Sequence, residues 1–149
     1  MTEIRFYHLL QQKPLTTLVS LIERARGRDQ VILIKAADKA EAETIDTYLW
    51  SYQPQSFLPH SLDTDIYASH QKILITTGSD NTNQASTLFQ INHEALNIPD
   101  HITLCCKIFD GHNEEGLLAA RRDWKHLKDA GHTLSYWQQD ENGKWEQKA

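Results

Sequence analysis

Apolar residues fall along the chain in short continuous blocks, separated by stretches with helical spacing. Ile4-Arg5-Phe6-Tyr7-His8-Leu9 reads as a first strand. Pro14 opens a helical pattern with apolar positions at Leu15, Leu18, Val19, Ile22 and Ala25, and Gly27 is its expected stop. Val31-Ile32-Leu33-Ile34 is a block of the kind found in strands covered on both faces. Asp38 with Glu41 three residues on forms a capping-box start, and Ala42, Ile45, Leu49 and Trp50 follow on one helix face. Phe57-Leu58-Pro59-His60 reads as a short strand or edge segment, and Ile73-Leu74-Ile75-Thr76 as a buried-type strand. Residues 77–86 form the most polar loop, after which Leu88-Phe89-Gln90-Ile91 returns as a strand. The longest strand pattern runs from Ile102 to Phe109 and ends at Asp110-Gly111. A long helix is predicted over residues 113–130, closed by Gly131. Residues 133–137 make a last strand, and the chain after Gln138 is polar.

Strands and helices alternate, and the strands are blocks rather than alternating patterns. That predicts an α/β fold with a mostly parallel sheet flanked by helices. No repeat and no linker rich in Pro, Gly or Ser divides the chain, so its 149 residues read as one three-layer domain.

Composition changes this picture little. Charged residues are 23% of the chain and apolar ones 40%, the balance of a folded soluble protein. The formal net charge of −5 excludes a globally basic nucleic-acid binder, so an anion site must be a local patch. Residues 1–6 do not resemble a signal peptide, and no apolar run reaches the roughly 18 residues of a membrane span. Cys105 and Cys106 are adjacent on a strand and point to opposite faces, so they read as core residues of a cytoplasmic protein.

An α/β domain invites a nucleotide-binding reading. The turn after the first strand, Leu9-Leu10-Gln11-Gln12-Lys13-Pro14, has no glycine, and neither a P-loop nor G-x-G-x-x-G occurs. G-x-S-x-G and H-E-x-x-H are absent too. The eight histidines are scattered, so no metal or other cofactor is expected. Asp110, at a strand's C-terminal edge, reads either as a catalytic position or as a turn residue. The rhythm of Val31–Lys35, the helix to Trp50 and residues 72–77 resembles a RecA-like C-terminal helicase lobe, without arginine fingers or a P-loop partner.

The predicted last helix carries the most chemistry. On a period of about 3.6 residues, Leu117, Ala120, Trp124 and Leu127 share one stripe. Arg121, Lys125, Lys128 and His132 form a basic stripe beside Trp124. One reading is a solvated face beside a core tryptophan, with Asp123 and Asp129 partly neutralising it and the lysines serving the helix dipole. The other is a clamp for an acidic peptide with an apolar anchor, Arg121 offering its planar fork to a carboxylate and Trp124 the wall. A third is a groove for single-stranded DNA, with bases stacked on Trp124. The stretch from Trp50 to His60, with Tyr52 and Phe57 among prolines, reads as a loop folded on the core or as an apolar protein-binding patch.

These residues, with Phe6-Tyr7-His8-Leu9, Leu49-Trp50, Ser56-Phe57-Leu58-Pro59-His60, Ile108-Phe109-Asp110-Gly111 and residues 119–132, resemble the chi subunit family of bacterial DNA polymerase III along nearly the whole chain. The ending Tyr136-Trp137-Gln138-Gln139-Asp140 is similar to alphaproteobacterial members. The resemblance implies a Rossmann-like α/β fold and a non-catalytic adaptor in DNA replication. It implies binding of the acidic C-terminal tail of single-stranded DNA-binding protein, tipped by Pro-Phe, at Arg121, Trp124 and Lys125. Trp124 stands where well-known members have tyrosine, and Leu117 where they have a lysine; Lys128 is expected to offset that missing charge. Phe57 matches the position that contacts the psi subunit, the family's tether to the clamp loader, and Trp50 belongs to the same motif; the partner expected there is psi or another clamp-loader component.

Overall fold

A computed structural model describes residues 2–51 and 59–149. Its elements are β1 (Glu3–Leu9), α1 (Pro14–Arg26), β2 (Ile32–Lys35), α2 (Lys39–Ser51), β3 (Ser61–Leu62), β4 (Ile73–Thr76), β5 (Thr87–Gln90), β6 (Leu104–Asp110), α3 (Glu114–Asp129), β7 (Thr133–Gln139) and β8 (Trp145–Gln147), with one 3-10 turn at Ala68–His70. The strands form one sheet in the order β3-β4-β2-β5-β6-β1-β7-β8. Every pairing is parallel except β7 with β8. The parallel, helix-flanked sheet expected from the apolar blocks is therefore present.

Two predicted features take a different form. In the segment expected as a strand at 57–60, residues 57 and 58 lie outside the described residues. Pro59 and His60 belong to no strand, and the pairing begins at Ser61. The polar end of the chain folds back as a hairpin. Asp140 accepts the backbone N–H groups of Asn142 and Lys144, Gly143 turns at φ +80°, and Trp145 returns beside Gln139. The polarity there belongs to an edge strand and its turn.

Local chemistry explains the helix ends. Asp38 Oδ1 accepts the Glu41 N–H at 2.8 Å, and Glu41 Oε1 accepts the Ala37 N–H at 3.1 Å, so the capping box closes one residue before the cap. Asn113 caps α3 by accepting the Gly116 N–H at 2.8 Å, with Glu114 and Glu115 in the positive first turn. At the other end His132 N–H reaches the Leu127 carbonyl and Gly131 N–H the Lys128 carbonyl. That is a Schellman closure, and Gly131 at φ +90° makes it without strain. Gly27, the expected stop of α1, keeps a helical φ of −62°; Asp29 takes the left-handed turn at φ +57°.

The sheet separates two cores. Tyr7, Leu9, Ile34, Ile75, Phe89, Cys106 and Ile108 pack under α1 and α2. Ile4, Phe6, Leu33, Leu88, Cys105 and Phe109 pack under α3. Cys105 and Cys106 face opposite cores as free thiols. Burial pushes both up, Cys106 to about 12, so neither is a nucleophile near neutral pH.

Candidate functional site

Helix α3 lies over β6, with β7 beyond it. Its buried positions are Gly116, Ala119, Ala120, Asp123 and Leu127, so the inner face includes a carboxylate. Asp123 pairs with Lys107, fully buried on β6, and accepts the Leu96 N–H at 3.3 Å. Lys107 also donates to the Glu94 carbonyl at 2.9 Å. Burial, more than anything else, lowers the Lys107 pKa, and Asp123 opposes that shift. One reading of the sequence has Asp123, with Asp129, partly neutralising the basic stripe. Asp123 is instead buried against Lys107, and its only other ion pair among the described residues is with Arg122, at 3.6 Å. Arg122 itself is tied to the His93 carbonyl at 3.1 Å.

With Asp123 turned inward, the next faces of the helix open beside the sheet. Arg121 and Trp124 line a cleft of about 490 Å³ with Leu117, Ala120, His8, Tyr136 and Ala149. Trp124 is partly buried. Its ring meets Phe6 edge-on at 5.4 Å and Tyr136 at 5.9 Å. Arg121 is exposed and makes no ion pair among the described residues. Its charge reaches the Tyr136 hydroxyl, where it opposes the upward shift that burial imposes. His8 Nδ1 lies 2.6 Å from that hydroxyl. Burial, with His112 adding to it, lowers the His8 pKa, so the ring is neutral near pH 7. The result is an aromatic wall and an apolar floor, with one uncompensated guanidinium at the rim. Such a site suits an apolar anchor attached to a carboxylate.

The other expected site residues fall elsewhere. Lys125 and Lys128 are exposed on α3 and do not line the cleft. Leu117 does line it, as an apolar residue. Trp50 is 52% exposed at the end of α2, its ring 4.1 Å from that of His60. Phe57 lies outside the described residues. His8 and Tyr136 had not been assigned to the site from sequence. They sit on β1 and β7, far apart in sequence, and only the parallel pairing of those strands brings their rings together. The one available signal was the aromatic pair Phe6 and His8 on alternate positions of the first strand.

Asp110 behaves as a turn residue: its Oδ1 accepts the His112 N–H at 2.8 Å. The C-terminal ends of β1 and β6 are closed against each other. Gly111 donates to the Leu9 carbonyl at 2.7 Å, and His112 Nε2 lies 2.8 Å from the Leu10 carbonyl. The His8 ring fills the space where a Gly111 side chain would go, only 1.9 Å from the position of a Cβ. No glycine-lined phosphate cradle exists between those ends. Among the described residues, no group of three His, Cys, Asp or Glu side chains is placed to hold a metal, and no helix is long and apolar enough to cross a membrane.

A family model described as DNA polymerase III chi subunit, HolC, matches residues 1–135. A protein of Rickettsia prowazekii named probable DNA polymerase III subunit chi is 29% identical over 92 residues, which is 62% of this chain and 56% of that protein. The DNA polymerase III subunit chi of Pseudomonas aeruginosa is 32% identical over 65 residues, 42% of this chain and 46% of that protein. The chain spans about half the length of the curated relatives it matches.

Proposed function

The chain belongs to the chi subunit family of DNA polymerase III, and from that premise we propose that its α3 cleft binds the acidic C-terminal tail of single-stranded DNA-binding protein. The observation that carries this reading is the sharing of one apolar cleft by Arg121 and Trp124. A terminal phenylalanine enters between Trp124, Tyr136 and Leu117. Its carboxylate meets the Arg121 guanidinium, whose planar fork matches two oxygens. Acidic residues further up the tail run past Lys125 and Lys128 on the exposed face of α3. Leu117 makes the floor apolar where a cation would have added charge, so affinity rests on the rings and on Arg121.

On this reading the protein is a non-catalytic adaptor of DNA replication in the cytoplasm. It carries single-stranded DNA-binding protein to the clamp loader through a psi subunit or another component. Trp50, exposed at the end of α2, and Phe57 are the residues proposed for that second contact. Two features support the adaptor over a nucleotide-dependent enzyme: the closed ends of β1 and β6, and the Asp110 turn.

Calorimetric titration with an acidic peptide ending in Pro-Phe tests the tail site. Binding is expected at micromolar strength, about −8 kcal/mol, and it weakens with salt because the cations are exposed. Arg121→Ala and truncation of the terminal phenylalanine should each weaken it about ten-fold, or ~1.4 kcal/mol. Absence of binding, or indifference to both changes, overturns the assignment.

A further inference from the structure

The opposite face of the sheet carries a second concentration of arginine and aromatic residues that the tail cleft does not use. Helix α1 packs on β6 and β2, and α3 lies on the other face, against β6 and β7. The β1-β7-β8 end of the α1 face is thus held by side chains rather than by a helix packed across it. Arg5, Tyr7, Ser135, Trp137 and Trp145 stand there in neighbouring positions. Tyr7 and Trp145 meet edge-on at 5.1 Å. The Trp137 indole N–H donates to Ser135 Oγ at 2.9 Å, which fixes the plane of its ring. Both tryptophans keep part of their surface exposed.

Where this face meets the end of α1, Arg5, Arg24 and Arg28 line a pocket of about 70 Å³, whose inner wall also includes Leu21, Phe89 and Leu104. Arg5 is paired with Glu3 and reaches Tyr7. Arg24 also acts on the Tyr7 hydroxyl. Arg24 and Arg28 are exposed, and among the described residues neither has a carboxylate partner, in a chain that has 20 acidic residues to offer. The helix dipole accounts for one arginine in the last turn of α1. Glu3 accounts for Arg5, and neither accounts for Arg28, which lies past the helix end.

We propose that this face binds single-stranded nucleic acid, with backbone phosphates at Arg5, Arg24 and Arg28 and bases against Trp137 and Trp145. Stacking needs only an open ring face, which every base can use, and a sheet surface bearing aromatic side chains is a recurrent way to provide it. The pocket between the arginines takes a compact anion such as a phosphate group. At about 70 Å³ the pocket is far smaller than the cleft of about 490 Å³ under Trp124, so a peptide's apolar anchor fits the cleft rather than this pocket. The local positive field works against a net charge of −5, so binding is strongest at low salt and carries no sequence preference. The proposal goes beyond the tail site and shares no residue with it.

Anisotropy of a labelled oligothymidylate, titrated with the full chain in the absence of other proteins, tests it. Binding should appear at low salt, and the logarithm of the binding constant should fall linearly with the logarithm of salt concentration. Arg24→Glu with Arg28→Glu should weaken it at least ten-fold. A control with the same change in net charge, Lys39→Glu with Lys72→Glu, should have a much smaller effect. Trp137→Leu should also weaken binding and abolish part of the tryptophan quenching seen with the oligonucleotide. Failure to bind the oligonucleotide, including the case in which inorganic phosphate binds and the oligonucleotide does not, or an equal loss in the lysine control overturns the proposal.

Discussion

His8 shows how one side chain can serve both the fold and the cleft. It sits among Phe109, Tyr136 and the Gly111 backbone, and it needs its neutral form there. Its pKa in the folded chain is lowered below the ordinary histidine value of about 6.5, burial being the chief cause. The unfolded chain therefore takes up the proton first as pH falls. Stability contributed by neutral His8 is complete above about pH 6.5 and is lost as pH drops through the folded pKa. Melting temperature measured from about pH 7.5 to 5.5 should fall more steeply for the natural protein than for His8→Gln, with the difference confined to the range below 6.5. Parallel curves for the two proteins would remove His8 from this account.

At the scale of elements, a buried ion pair ties α3 to the sheet alongside the apolar packing of Ala120 and Leu127. Lys107 and Asp123 satisfy each other, and the Glu94 carbonyl and Leu96 N–H supply further partners. A buried pair of this kind adds little net stability over apolar residues, but half of it is costly. Asp123→Ala strands the Lys107 charge and should lose about 3–5 kcal/mol in urea denaturation. Lys107→Met combined with Asp123→Leu should recover most of that loss. If the single variant melts like the natural protein, the pair does not hold α3. Because Asp123 lies between Arg122 and Trp124, this anchor also sets which residues of the helix face the cleft.

Across the whole molecule, the sheet offers two chemically different faces at its β1-β7 end. The α3 side presents an apolar cleft with one guanidinium, and the α1 side presents arginines and tryptophans. The C-terminal hairpin completes the second face, since Trp145 packs on Tyr7 and against the core under α1. Deleting residues 141–149 should cost about 2 kcal/mol of burial and lower the melting temperature by roughly 4–8 °C, with the circular dichroism of the parallel sheet retained. An unchanged melting temperature would mean that the hairpin is not part of the folded unit.

Much of this protein was legible in its sequence, because periodicity and capping act locally. Short continuous apolar blocks between helical stretches fit strands covered on both faces, so Val31–Ile34 and Ile73–Thr76 marked the covered strands. Asp38, Asn113 and Gly131 marked helix ends because their partners lie within a few residues. The basic stripe of α3 was equally visible, since residues three and four apart share a helix face. Tertiary structure alone decided what that stripe adjoins. Helical phase puts Asp123 on the inner face with Gly116, Ala119, Ala120 and Leu127, but only the fold supplies its counter-charge, Lys107 on β6. His8 and Tyr136 become walls of one cleft only through the parallel pairing of β1 with β7. Trp145, in a segment that reads as polar, becomes a packed residue because a hairpin turn carries it back over Tyr7. Each of these depends on contacts between residues distant along the chain, which local periodicity does not encode.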